Sequence, residues 1–351
     1  VSHNKWWQTS PKTADESMRR IAEARQANLT KPPGALGKLE TSAIQLAALQ
    51  ASEQPKVDAV HITVFAGDHG VAAEGISAFP QAVTAEMIKN FASGGAAISV
   101  IAAELGATLE VVNLGTVVDP GNIEGVKNRS LGPGTQNFCQ QAAMSETQVS
   151  QALDAGYEVA QHAKSAGAQL FIGGEMGIGN TTVAAALACA FLEAKPELLA
   201  GPGTGVDAQG VRHKIQIIQQ ALDFHLPHTN SAYETLRRLG GFEIAALSGS
   251  YLACAQIGLP VLVDGFISSV AALAAIRLCP DAEPWFLYSH TSAEPGHRLV
   301  LKALNANPLL DCGMRLGEGS GAASTVPLLR LACSLHNHMA TFAEAGVSEK
   351  S

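Results

Sequence analysis

At 351 residues the chain has room for about two domains, or for one large domain with an appendage. Hydrophobic residues make up 47% of it but aromatics only 5%, and 34 glycines accompany them, a composition suited to helices packed closely on a buried sheet. The formal net charge of -8 argues against a nucleic-acid or anionic-membrane surface, so an anionic substrate needs a local basic site.

The first seven residues, Val1 to Trp7, are polar and aromatic, with no apolar core of a cleavable leader. Asp15 to Leu29 has Met18, Ile21 and Ala22 on one face and predicts a helix. Lys31-Pro32-Pro33-Gly34-Ala35-Leu36-Gly37 breaks it, and Lys38 to Leu49 resumes as a second helix. From His61 onward, short apolar runs alternate with helical stretches. The runs are Ile62–Phe65, Leu109–Val112, Leu170–Ile172, Val261–Val263 and Trp285–Leu287. That rhythm implies βαβ units, right-handed crossovers and an α/β fold with a doubly wound parallel sheet. Ile244 to Leu278 is the most apolar stretch, but Gly249, Gly258, Pro260, Asp264 and Gly265 divide it into helix, strand and helix, so it reads as core and not as a membrane span. The last helix, Thr325 to about Glu344, is expected to return to the N-terminal helices. The resulting division is a small helical domain from residues 1–58 and 324–351, and a large α/β domain over 59–323 that carries the site.

In open parallel sheets ligands gather beyond the carboxyl ends of the strands. After Leu170–Ile172 comes Gly173-Gly174-Glu175-Met176-Gly177-Ile178-Gly179-Asn180-Thr181-Thr182, then an Ala-rich helix from Val183 to Leu192. Strand, glycine turn and helix aim backbone N–H groups and a positive dipole end at a ligand, and Asn and Thr there both cap helices and bind phosphate oxygens. The dinucleotide fingerprint fails because position 182 is Thr, and no Walker A lysine follows any glycine cluster. A second glycine-bound acid lies in Gly313-Met314-Arg315-Leu316-Gly317-Glu318-Gly319-Ser320-Gly321, where four glycines in nine residues imply a tight turn or a close approach to a ligand. Glu318 is either a general base in a desolvating pocket or an acid complementing a helix dipole. Gly201-Pro202-Gly203-Thr204-Gly205-Val206-Asp207 has the same small-residue character before a helix over Ala208 to Leu222; Lys214, nearly two turns into that helix, could reach a phosphate, with solvent the safer reading.

The remaining strand-end residues are less decisive. Asp68 and His69 are sequence neighbours on an extended chain, which places them on opposite sides, and a structural hydrogen bond for Asp68 is at least as good a reading as a substrate contact. Asp264 is a buried acid that needs a partner, either ribose hydroxyls or backbone N–H groups. His290 and Ser292 are read as caps of a helix beginning near Ala293, with Glu294 in its first turn. His225 and His228 come nearest to a metal pair, but without further ligands at zinc spacing no metal is expected. Six scattered cysteines without a C-x-x-C pair point to buried thiols in a reducing, cytoplasmic setting.

Taken in order, these segments resemble the nicotinate-nucleotide–dimethylbenzimidazole phosphoribosyltransferase family of cobalamin lower-ligand synthesis. The resemblance rests on Lys31–Gly34 with Leu36-Gly37 and Leu39-Glu40, Ala66–Gly70, Gly174–Gly177, Asn180–Thr182, Gly240–Phe242, Leu259–Leu262, Asp264–Phe266, Ser292–Glu294 and Met314–Ala322. It implies transfer of the phosphoribosyl group of nicotinate mononucleotide to 5,6-dimethylbenzimidazole, with inversion at the anomeric carbon, in a homodimer that uses no cofactor. By position it makes Glu318 the catalytic base and Glu175 the second acid. It puts phosphate and ribose contacts near Gly177, Asn180, Gly203, Lys214 and Ser292, with Thr181, Asp264, Met176, Leu316 and Gly317 as further substrate-binding positions. Two positions depart from the pattern: Phe79 and Met87 stand where the family has Ser and Gln to hold the base by hydrogen bonds. They offer stacking and adaptable packing instead, which admits purines or phenolics as competitors; a pocket repacked with the same preference is the favoured reading. A nicotinamide-dependent oxidoreductase and a non-catalytic nucleotide sensor are the alternatives, the first opposed by the missing fingerprint.

Overall fold

Six strands pair into one parallel sheet. The structure is a computed structural model that describes residues 5–203 and 205–348; Val1–Asn4 of the stretch read for a leader, and Thr204 of the Gly201–Asp207 loop, lie outside the described residues. In chain order the N-terminal half comprises α1 (Glu16–Asn28), α2 (Lys38–Gln50), β1 (Val60–Gly67), α3 (Ala82–Ala92), α4 (Ala97–Leu105), β2 (Thr108–Gly115), β3 (Val126–Asn128) and α5 (Glu146–Ser165). Then follow β4 (Leu170–Met176), α6 (Asn180–Leu192), α7 (Ala208–His225), α8 (Ala232–Leu239), α9 (Phe242–Ile257), β5 (Val261–Val263) and α10 (Phe266–Leu278). The chain finishes with β6 (Phe286–Tyr288), α11 (His297–Ala303), α12 (Ser320–His338) and α13 (Phe342–Ala345).

Strand order is β3-β2-β1-β4-β5-β6, every pair parallel, which is the doubly wound arrangement with its switch between β1 and β4. β1 is buried along its whole length, as a central strand covered on both faces must be. Small side chains make that cover possible. α9 and α10 are buried on almost every face, and at the crossing of α5 with α9 a Cβ on Gly156 would lie 2.0 Å from the Ala246 carbonyl oxygen. Only glycine lets the two backbones approach so closely. β3 has no counterpart among the expected runs, because a three-residue edge strand of mixed exposure has no apolar pattern to announce it.

α1 begins one residue later than the sequence indicates, because the Asp15 side chain caps it by accepting the Met18 N–H at 2.9 Å. The C-terminal helices reach back to α1. Arg25 donates to the carbonyls of His336, Asn337 and Met339, and Leu29 bridges Thr341. The expected single helix to Glu344 is two, since the backbone turns extended at Met339 and a Thr341 capping box restarts it. α12 also starts at Ser320, ahead of the expected Thr325, because the small residues after Gly319 tolerate the first helical turn. No helix among the described residues is long and apolar enough to cross a membrane.

Candidate active site

At the carboxyl ends of β1, β4, β5 and β6 lies a cavity of about 250 Å³. Its wall includes Phe79, Met87, Glu175, Met176, Gly177, Asn180, Thr181, Gly203, Asp264, Ser292, Leu316, Gly317 and Glu318, so every site residue expected from sequence except Lys214 faces one space. The switch point explains why: the loops after β1 and β4 diverge there and leave a crevice that the Gly313–Gly321 loop closes from the other side.

Glu318 enters on a strained backbone. Its φ is +65°, in the left-handed region, between Gly317 at +88° and Gly319 at +84°. Gly174 of β4 makes room for its backbone, and Gly317, just before it, makes room for the Glu175 side chain. A Cβ on Gly174 would fall 2.2 Å from the Glu318 carbonyl oxygen, and one on Gly317 would fall 2.4 Å from Glu175 Oε1. The carboxyl group is buried, and among the described residues only the Ile98 N–H of the first turn of α4 reaches Oε2, at 3.5 Å. Burial, and then the charge of Asp264, push its pKa above the ordinary glutamate value, with the Ile98 contact opposing.

Glu175 is more deeply enclosed. Burial first, then the charges of Asp264, Glu243 and Glu318, raise its pKa well above the usual range. The Asn180 side-chain amide donates to Glu175 Oε2 in a short hydrogen bond. Asp264 makes the backbone contacts that the sequence offered as one of its two partners: Oδ1 accepts the Ala322 N–H at 2.7 Å and Oδ2 the Gly319 N–H at 3.2 Å. It thus fixes the turn that carries Glu318 to the start of α12. Burial raises its pKa, while His290 and these N–H groups pull the other way.

The opposite end of the site is cationic. Lys214 is buried, contrary to the solvent reading, because the Gly201–Gly203 loop folds over it; Nζ donates to Thr181 Oγ1 at 3.1 Å and to the Gly201 carbonyl at 3.3 Å. Burial lowers its pKa, with Glu294 nearby opposing. Arg315 Nη1 donates to the Gly203 carbonyl at 2.9 Å, so Arg315, Lys214 and the N-terminus of α6 converge where an anion would be held. Glu294 is buried between these cations and is raised by burial against the pull of Lys214 and Arg315. Neither Arg315 nor Glu294 is among the expected site residues; the signal for both was a charge inside or beside a glycine- and serine-rich loop. His290 and Ser292 do not cap a helix at Ala293. Helix α11 starts at His297, the Ser292 hydroxyl accepts the Glu294 N–H at 3.2 Å, and the Ser292 N–H donates to His297 Nδ1 at 2.7 Å.

The Gly67–Gly70 segment is scaffold. Asp68 accepts from the Thr84 hydroxyl at 2.6 Å and from the Val117 N–H at 2.9 Å, and Thr84 in turn accepts the Ile178 N–H of the site loop. His69 faces the other way, with Nε2 2.9 Å from Glu243 Oε1.

A parallel-sheet crevice with an anion-binding end, an apolar wall and a buried titratable acid defines a nucleotide-handling α/β enzyme. A family profile described as phosphoribosyltransferase matches residues 12–347. Nicotinate-nucleotide–dimethylbenzimidazole phosphoribosyltransferase of Pseudomonas aeruginosa (strain UCBPP-PA14) is 61% identical over 345 residues, covering 98% of each chain. The enzyme of that name from Xanthomonas oryzae pv. oryzae (strain PXO99A) is 59% identical over 346 residues, covering 99% of each chain. The crystal structure of CobT from Thermus thermophilus superposes with a TM-score of 0.92 at 43% identity, covering 95% of this chain and 100% of that one. The chain therefore belongs to the nicotinate-nucleotide–dimethylbenzimidazole phosphoribosyltransferase family, and it is a transferase.

Proposed function

We propose that the protein transfers the phosphoribosyl group of nicotinate mononucleotide to 5,6-dimethylbenzimidazole, with inversion at the anomeric carbon and Glu318 as general base. The observation that carries this reading is a buried carboxyl of raised pKa facing the same cavity as an apolar wall and the Arg315 guanidinium, with Lys214 behind Thr181 at that end. The nucleotide phosphate docks against Lys214, Thr181, Gly177, Asn180, Gly203 and Ser292. The acceptor lies between Phe79, Met87, Met176 and Leu316, with Gly317 beside it; Phe79 and Leu316 are exposed at the mouth, where an aromatic base would cover them. The donor pyridine nitrogen is cationic, so nicotinate departs neutral at nitrogen and needs no acid. One ring nitrogen of the benzimidazole forms the new bond to C1′ as the C1′–pyridine bond breaks, and the proton on the other ring nitrogen passes to Glu318. Glu175 in its ionised form stabilises the positive charge that develops on the ribose, a contribution that its raised pKa makes grow as pH rises. Asp264 acts through backbone, holding the loop of Glu318.

The enzyme works in the cytoplasm as a homodimer, its small helical domain assembled from residues 1–58 and 324–351 around the large domain 59–323. Incubation with both substrates should yield nicotinate and α-ribazole 5′-phosphate in equal amounts, read by mass and anomeric configuration. Absence of nicotinate release, with the mononucleotide bound, would leave a binding protein instead.

A further inference from the structure

A second cluster of chemically capable side chains lies at the opposite end of the sheet. His61 is the second residue of β1 and Glu110 the third of β2, so both sit at the amino ends of their strands; His162 comes from the last turn of α5. His61 Nε2 is 3.1 Å from Glu110 Oε2, and His162 Nδ1 is 3.3 Å from the same oxygen. The three ligand atoms all lie within 4.8 Å of one another. The two imidazoles stand edge to face, at 87° with centroids 5.7 Å apart, so their nitrogens converge on the carboxylate and do not stack. In tetrahedral zinc sites with bonds of about 2.0 to 2.1 Å, neighbouring ligand atoms are separated by roughly 3.3 Å. Both measured edges match that figure.

We propose that His61, Glu110 and His162 bind one divalent transition-metal ion, zinc by preference, with water as the fourth ligand. The donor set of two imidazoles and a carboxylate is one that zinc accepts. His61 is held by a parallel stack on Phe171 at 6.2 Å, so its ring is preset. His162 is half exposed, which gives the ion an entry path and its water a place. Lys127 Nζ sits 2.5 Å from Glu110 Oε1, on the other carboxylate oxygen, and leaves Oε2 to the metal. Binding requires a free lone pair on each imidazole, so any proton held between these rings and Glu110 goes to solvent. The ion would tie α5 to the first two strands. This inference is independent of the proposed transferase site.

The test uses the full chain stripped with chelator, in a Cys312→Ser background because Cys312 is an exposed thiol and a rival zinc ligand. Zinc is titrated in competition with a chromophoric chelator, and cobalt(II) absorption reports the geometry. We expect one zinc per chain, a tetrahedral cobalt spectrum, and an affinity loss in His162→Ala beyond about a hundredfold, more than an outer-shell partner would cost. The apo melting temperatures of the two proteins should agree, with zinc raising only that of the chain carrying His162. No stoichiometric zinc in the parent chain, or equal affinity in His162→Ala, would overturn the proposal.

Discussion

Replacing Glu318 by Gln tests the proposed base with the least disturbance of its surroundings. The amide has nearly the volume of the carboxyl, and its oxygen can still accept the distant Ile98 N–H, the one hydrogen bond the carboxylate receives from the described residues. Shape and nucleotide contacts should survive, so the loss falls on proton removal. A positioned general base contributes about 10² to 10⁴ in rate, which corresponds to roughly 3 to 5 kcal/mol of barrier. Nicotinate release under saturating substrates should fall by that factor, while calorimetric binding of nicotinate mononucleotide stays within about threefold of the parent. The pH profile supplies an independent check. The Glu318 pKa lies above the ordinary value, burial being the main cause, and the ionised form is the active one. Activity is therefore complete above that raised pKa and falls with unit slope as pH drops through it; the residual activity of Glu318→Gln lacks this limb. Turnover close to that of the parent protein would refute the assignment.

Three further predictions concern the residues around it. Glu175 has a folded pKa well above its unfolded value, so its contribution to stability is full below about pH 4.5 and is lost as pH rises toward the folded pKa. Glu175→Gln removes that loss, and its stability relative to the parent, read by denaturant melts, should improve by roughly 1 kcal/mol per pH unit across this window. Gly174→Ala puts a Cβ 2.2 Å from the Glu318 carbonyl oxygen and forces the base aside by about 1 Å; turnover should drop roughly a hundredfold with nucleotide binding largely kept, measured by paired kinetics and calorimetry. Lys214→Met keeps the length of a buried side chain but removes its ammonium, worth about 1.5 to 3 kcal/mol in a charge-assisted hydrogen bond, so KM for the mononucleotide should rise about ten- to hundredfold.

The sheet was legible because central parallel strands are continuous apolar runs, and five of the six strands advertise themselves that way. The loops at their carboxyl ends followed from the same reading, and with them Glu175, Asn180 and Asp264, whereas Glu318 was marked by the glycines around it. What escaped depends on contacts between distant segments. Lys214 reads as a solvated helix residue until the Gly201–Gly203 loop covers it. Asp264 reads as a ribose ligand or a backbone acceptor until the first turn of α12 is brought onto it. His61, Glu110 and His162 are separated by about fifty residues at each step, so no spacing rule could have joined them.

The crowding of acids explains why one of them can act as a base. Of the four carboxyl groups that line the crevice, those of Glu175, Asp264 and Glu318 are close enough that neighbouring charge raises the cost of ionising Glu175 and Glu318. Their surroundings nonetheless differ. Asp264 receives two backbone N–H groups and the influence of His290, which favour its charge. Glu175 is fully enclosed beside the other acids, which favours its proton. Glu318 is buried, faces the cavity, and has the Ile98 N–H as a weak donor and no cation among the groups that shift its pKa, unlike Glu294 beside Lys214 and Arg315, so its charge is held loosely enough to accept a proton. The left-handed φ at that residue costs about 1 to 3 kcal/mol, a strain that a simple capping acid would not need. On the proposed mechanism that strain is what turns the carboxyl toward the acceptor, and Glu318→Gly should therefore yield a more stable protein with the base removed.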